Sequence, residues 1–233
     1  MRSMSLVQFK DGALKEIARD YNSNWMLDIE TIDESTFIGA EMSSNLFTLR
    51  RNLKAGSEEE KSRLEVVGEF HLGQMVNKFA KGRLGGGPGD SEREKGQQDV
   101  LFATSNGCIG AVFGLDAGEY AFLGCLQKSL AKAVDAVGGM EWDDFRSWNN
   151  ERRVGRVKKF IDGDLIESFL DLSREKQDQV VKLMDDEGGW EGDKEGGVGE
   201  EEGEGVERDE HGRVVLSLDL VLAKVEAMSR LHS

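Results

Sequence analysis

The stretch Phe160 to Leu172, FIDGDLIESFLDL, decides how the rest of the chain is read. Its apolar residues Leu165, Ile166, Phe169 and Leu170 fall at the i, i+1, i+4, i+5 spacing of one helix face. Asp162 and Asp164 stand at its start, where a carboxylate accepts orphan N–H groups and suits the positive end of the helix dipole. A short helix is predicted here, and the chain differs in kind on its two sides. Before about Asp116 it reads as strands, and after Gly118 as helices and a solvated tail.

Upstream, residues 4–9, 14–19, 26–32, 36–41 and 45–51 are short, partly alternating runs separated by Asp-Gly, Asn-rich and Asp-Glu turns. They predict five strands of an antiparallel meander. Residues 57–63 form a charged link with room for one helical turn, and 64–70 and 73–79 resume the strand pattern. A glycine-rich, charged loop follows at 84–98; its GGGPG lacks the Gly-Lys-Ser/Thr that a phosphate-binding loop requires. Residues 99–115 are the clearest hairpin, with Asn106-Gly107 between two apolar runs, since residues tolerant of positive φ make the tight turn. Strands spaced in this way build sandwiches, barrels or propeller blades. Seven to nine of them, starting at residue 1 without a preceding turn, suggest part of a larger repeating structure.

Downstream the period changes. Phe122, Leu123, Leu126, Leu130, Ala133, Val134 and Val137 predict an amphipathic helix from Glu119, stopped by Gly138-Gly139. Trp142, Phe145 and Trp148 predict a second, short helix with an aromatic face. Arg152, Arg153, Arg156, Lys158 and Lys159 place five bases within eight positions; this reads first as a solvated linker, with phosphate-backbone contact as the alternative. Ser173 is expected to cap a helix that buries Val180, Val181 and Met184, and Leu218, Val221, Leu222, Val225, Met228 and Leu231 mark a last one.

Of 233 residues, 38% are hydrophobic, with no run of membrane-spanning length and a polar start, so a soluble, intracellular protein without a signal peptide is expected. Cys108 and Cys125 are too few and wrongly spaced for a disulfide framework or zinc site and are read as buried thiols. The net charge of −15 is local: residues 185–212 carry 13 acids and 2 bases, which leaves −4 on the other 205 residues. That Gly/Glu segment is read as a disordered spacer, because it buries too little apolar area to offset its ordering entropy.

Catalytic chemistry finds little support. His211 and His232 lie in that segment and at the terminus, leaving His71. Asp162, Asp164 and Glu167 do not make an EF-hand, since Ile166 and Glu167 stand where an oxygen ligand and a glycine are required. No enzyme activity, cofactor or metal site is read.

FIDGDLIESFLDLS at 160–173 stands with EIARDYNSNWM at 16–26, FIGAEMSSNLF at 37–47, VGEFHLGQMVNKF at 67–79 and LFATSNGCIG at 101–110. Together with the aromatic helix at Trp142 and the final LAKVEAMSRLH, these motifs resemble the C-terminal part of the damage-specific DNA-binding protein 1 family. Its wider kin include the large subunit of the cleavage and polyadenylation specificity factor and a spliceosomal subunit. The resemblance covers nearly all of the chain except 84–98 and 185–212.

The resemblance implies a β plus α fold: three seven-bladed propellers followed by a C-terminal helical domain. Residues 1–116 would then be the last blades of the third propeller, with a loop at 84–98, and 117–233 the helical domain with its acidic loop at 185–212. Met1 resembles an internal methionine, so a piece of a longer protein is expected, with propeller edges left unpaired. The implied role is a non-enzymatic adaptor of a cullin-RING ubiquitin ligase in nuclear, and also cytoplasmic, DNA-damage recognition and repair. Its partners would be substrate-receptor proteins and the missing propellers, with no membrane. The cullin-binding propeller has no counterpart here. Trp25 and Asn77 match residue types of the receptor-gripping cleft, whereas Met75 and Ser105 stand at cleft positions where the family has other side chains. Trp25 reads equally well as a blade-core aromatic. The alternative from the RNA-processing kin is a nucleic-acid-binding module, contacting DNA or RNA through Arg152, Arg153, Arg156, Lys158 and Lys159.

Overall fold

The structure is a computed structural model, described here for residues 3–82, 99–135, 137–186 and 216–230. The GGGPG loop, the acidic segment beyond Asp186 and Leu231 lie outside the described residues. The chain divides into two compact units, residues 1–114 with 142–160, and residues 115–141 with 161–233.

In the first unit, β1 (Ser5–Lys10) and β2 (Ala13–Arg19) pair antiparallel through Asp11-Gly12. Both turn residues are left-handed, at φ 52° and 77°, the geometry that matches strand twist in a two-residue hairpin. β3 (Met26–Thr31), β4 (Thr36–Glu41) and β5 (Asn45–Arg51) follow. A one-turn helix, α1 (Glu58–Lys61), is capped by Ser57 and leads into β6 (Leu64–His71). The four strands β3-β4-β5-β6 form one antiparallel sheet. The five-strand meander expected over residues 4–51 is therefore divided, with β1 and β2 in a sheet of their own. The Arg19 and Asp20 N–H groups bond the carbonyls of Ser62 and Met4, at 2.9 Å each, and so draw the end of β2 away from β3.

β7 (Val76–Lys81), β8 (Val100–Thr104) and β9 (Ile109–Val112) make a three-stranded sheet. Its Asn106-Gly107 turn differs from the Asp11-Gly12 one. Only Gly107 has positive φ, 83°; its N–H donates to the Thr104 carbonyl, whose own N–H reaches the Cys108 carbonyl at 2.9 Å. That is a three-residue loop closed by a glycine bulge.

Every residue of β4 is buried, so its sheet is covered on both faces. Phe37, Phe47, Leu49, Leu64 and Trp148 cluster on one side, and Ile38, Leu46, Phe70, Val76 and Phe79 on the other. Both larger sheets use one packing device. Gly39 pairs with Phe47 and Gly110 with Phe102, and in each case a Cβ on the glycine would strike the facing ring. The aromatic lies where only glycine leaves room.

Residues 142–160 belong to this first unit; the helical part does not run unbroken from 117. α3 (Trp142–Arg146) ends before Trp148, which lies instead in β10 (Trp148–Asn149), paired with β11 (Val154–Gly155). The aromatic helix expected to hold Trp142, Phe145 and Trp148 thus stops short. Trp148 is 1% exposed and meets the Phe47 ring edge-on at 6.2 Å. Filling the sheet core is worth more to so large a side chain than one further helical turn.

In the second unit, α2 (Ala117–Ala133) opens with a capping box: the Glu119 N–H bonds Asp116 at 2.7 Å, and Glu119 returns to the Asp116 N–H. It ends before Val134, which is extended so that its side chain packs on the core, and Gly138 and Gly139 carry their positive φ in a separate turn. The FIDGDL stretch becomes α4 (Gly163–Glu167), continued by a 3-10 turn over Ser168–Asp171. Asp162 takes the N-cap position without a side-chain cap bond, and its backbone N–H donates to Gln127 Oε1 at 2.7 Å. α5 (Arg174–Asp186) and α6 (Leu218–Ser229) complete the bundle. Leu126, Leu130, Ile166, Phe169, Met184 and Val221 are fully enclosed at its centre.

Candidate docking site

Four residues singled out in the sequence all reach the surface of the first unit. Trp25, 51% exposed, immediately precedes β3, and its carbonyl accepts from the Met42 N–H at 2.9 Å. Asn77 is exposed on β7. Met75, 38% exposed, accepts at its carbonyl from the N–H of exposed Ser105, 2.9 Å away, so these two positions sit together. Trp25 is therefore not a blade-core aromatic; Phe47 and Trp148 fill that role.

β3 and β7 belong to different sheets, yet one carboxylate joins them. Asp28 accepts from the Phe79 backbone N–H at 2.7 Å and pairs with Lys78 at 3.0 Å. Burial pushes the Asp28 carboxyl up, but these hydrogen bonds and the Lys78 charge outweigh it and hold the group below its ordinary value. The strand led by Trp25 is thus fastened to the strand that carries Asn77.

The five bases of 152–159 have unequal surroundings. Glu69 is buried on β6, and Arg153 and Lys158 both pair with it, Lys158 at 2.9 Å. Burial pushes the Glu69 carboxyl up, but the hydrogen bonds and charges of Arg153 and Lys158 prevail and hold it low. The backbones of Glu69 and Lys158 also exchange two 2.9 Å hydrogen bonds, which adds this segment to the edge of β6. The Arg153 guanidinium lies 4.7 Å over the Trp148 ring, and Arg152 donates to the Ser23 carbonyl at 3.1 Å. Lys159 takes a left-handed φ of 48°, and next to it Phe160 stacks on Phe70 at 5.5 Å. Sequence reasoning missed Glu69: an acid in an alternating strand carries no local sign that two cations more than 80 residues away will enclose it.

A second polar node lies two residues further along β6, at its C-terminal end. Buried Asn45 on β5 donates to Glu41 and to the Asn149 carbonyl, and accepts from His71 Nδ1 at 2.8 Å. Arg146 donates to the Leu72 carbonyl at 2.9 Å and lies over the Phe70 and Phe145 rings. Burial, then the Arg146 charge, push His71 below its ordinary value, and burial pushes Glu41 up. Of the two cysteines, Cys125 is half-buried, but Cys108 is exposed on the β8–β9 turn, contrary to the expectation of two buried thiols. Among the described residues, no group of three or more His, Cys, Asp or Glu side chains is placed to hold a metal, and no helix is long and apolar enough to cross a membrane.

Antiparallel blade-like sheets followed by a helical bundle define a fold of propeller-type blades and a helical part. The chain belongs to the CPSF A subunit region family, whose model matches residues 1–171. It is 48% identical over 187 residues to DNA damage-binding protein 1a of Arabidopsis thaliana and to DNA damage-binding protein 1 of Solanum lycopersicum, and 46% identical to that of Oryza sativa subsp. japonica. In each comparison 79% of this chain is matched, and it spans 17% of the relative's length.

Proposed function

We propose that this chain is a non-enzymatic docking piece of an adaptor that presents substrate receptors to a cullin-RING ubiquitin ligase, acting in the nuclear recognition and repair of damaged DNA. The observation that carries the reading is the exposure of Trp25 at the head of β3, a strand fastened by Asp28 to the β7 strand of Asn77. An exposed aromatic ring at the head of a strand suits the anchor of a protein interface, because it buries large area at small entropic cost. The names of the relatives, DNA damage-binding proteins, support a role in the damage response. The alternative of a nucleic-acid module resting on the five bases has less support. Arg153 and Lys158 are engaged with Glu69, and Arg152 with Ser23, so the segment offers few cations to a phosphate backbone.

The test is capture of a panel of cullin-RING substrate receptors by the chain and by Trp25→Ala, with strand protection checked by hydrogen exchange. Capture that depends on Trp25 is expected. Equal capture by both proteins, or none with the strands protected, removes the reading.

A further inference from the structure

A cleft of about 180 Å³ opens in the first unit between the loop ahead of β3 and the β10–β11 turn. The charged groups of its lining are engaged. Glu69 is held by Arg153 and by Lys158 beyond it, and Arg152 is taken up by the Ser23 carbonyl and by further interactions. What the cleft leaves open is uncharged. On the loop side Asn24 is half-buried, and its side-chain amide makes no hydrogen bond among the described residues; the exposed Tyr21 lines the same side. On the turn side half-buried Asn150 is oriented by its own backbone: Oδ1 accepts the N–H groups of Arg152 and Arg153 at 3.0 and 3.1 Å. That fixes which end of the amide is the NH2 group, and this donor has no acceptor among the described residues. The indole N–H of Trp148, in the same lining, is buried and likewise has no acceptor.

From this we infer that the cleft binds the uncharged carboxamide side chain of a glutamine or asparagine in a partner protein, with Asn24 and Asn150 as its recognition residues. A carboxamide carries an acceptor oxygen and two donor N–H groups in one plane. Its oxygen meets the Asn150 NH2 donor, and its N–H groups meet the Asn24 oxygen, which that amide presents by turning the matching end inward. A carboxylate brings only acceptors, and a charge that sets it against Glu69 while the cations of the lining are already engaged. A hydrocarbon side chain would cover both asparagine amides and leave them unpaired. The volume is below the roughly 300–1,000 Å³ of sites for drug-sized ligands, so it suits one side chain rather than a nucleotide or an oligosaccharide. The recognition residues do not include Trp25, and the site stands whether or not receptors dock there.

The test is an NMR titration of the isotope-labelled full chain with the peptide Gly-Ser-Gln-Gly-Ser and its Glu and Leu counterparts, which share a backbone and differ in one side chain. The glutamine peptide is expected to shift the Asn24 and Asn150 side-chain NH2 signals and the Trp148 indole signal saturably, and to bind at least about tenfold more tightly than either counterpart. Asn150→Asp keeps an oxygen for both backbone N–H groups but replaces the open donor with negative charge. It is expected to weaken the glutamine peptide by about tenfold or more with the melting temperature unchanged. Asn24→Ala, on the loop side, acts in the same direction and decides alone if Asn150→Asp lowers the melting temperature. Trp25→Ala leaves the titration unchanged, which separates this site from receptor docking. Equal binding of the three peptides, no saturable shift, or a glutamine-peptide affinity indifferent to both asparagine variants overturns the proposal. Tighter binding of the glutamate peptide overturns it in favour of an anion site.

Discussion

Asn45 and Asn149 lie 104 residues apart in the chain, and the Asn45 side-chain amide donates to the Asn149 carbonyl at 2.9 Å. Asn45 also bonds Glu41 on the strand before it and His71 on the strand after it. One buried amide thus ties three strands and the returning segment 142–160 together. Asn45→Leu would leave the buried Glu41 carboxyl, the half-buried His71 ring and the Asn149 carbonyl without this partner. Each such orphan costs roughly 1–3 kcal/mol. The expected result is a loss of about 3 kcal/mol or more in urea denaturation of the whole chain, with faster hydrogen exchange across 148–155. A loss below about 1 kcal/mol would mean that water or relaxation replaces the network.

Glu69 should behave differently from its two partners. Arg153→Met with Lys158→Met leaves a buried carboxylate uncompensated, which costs on the order of 3–5 kcal/mol. Glu69→Gln removes the buried charge and leaves two cations that are themselves largely in solvent, so its cost should be smaller, about 1–2 kcal/mol. Denaturation of the two variants at neutral pH checks that order.

The pH profile follows from three of these groups. The lowered pKa of His71 in the folded state means that acid charges the unfolded chain first, so stability falls as pH drops through the ordinary histidine value of 6.5. Glu69, also lowered, contributes stability that is present above its ordinary value of 4.5 and lost as pH falls through its folded value. Glu41 is raised, so it favours folding below 4.5 and loses that contribution as pH rises through its folded value. Glu41→Gln keeps an oxygen for Asn45 and should raise stability at neutral pH. His71→Gln should flatten the step near 6.5. Melting temperatures from pH 4 to 8 test both.

Gly68 lies under Thr48 and Phe160; a Cβ there would come within 2.5 Å of Thr48 Oγ1 and 2.9 Å of the Phe160 ring. Gly68→Ala is expected to cost about 1–3 kcal/mol by forcing Phe160 off Phe70. Phe160→Leu in the same background should recover part of that loss, which a double-mutant cycle measures.

Trp25→Ala removes a side chain that is half in solvent, so it should change stability by no more than about 0.5 kcal/mol. Phe169→Ala, at the centre of the helical unit, should cost about 3–5 kcal/mol. Parallel melts of the two variants separate a surface role from a packing role.

What the sequence by itself determined was local. Strand runs, the Asp11-Gly12 turn, the one-turn helix at Ser57 and the apolar faces of α2, α5 and α6 follow from side-chain period, caps and φ preference, all of which act within a few residues. Its motifs also carried the resemblance that the CPSF A subunit region match bears out. Tertiary structure alone decided which side chains meet. The break between β2 and β3, the move of Trp148 from helix to sheet core, and the return of 142–160 to the first unit all come from packing partners distant in sequence. The basic segment is the clearest instance. Five neighbouring cations look alike along the chain, but burial of Glu69 at a sheet edge demands compensating charge, and geometry assigns that task to Arg153 and Lys158.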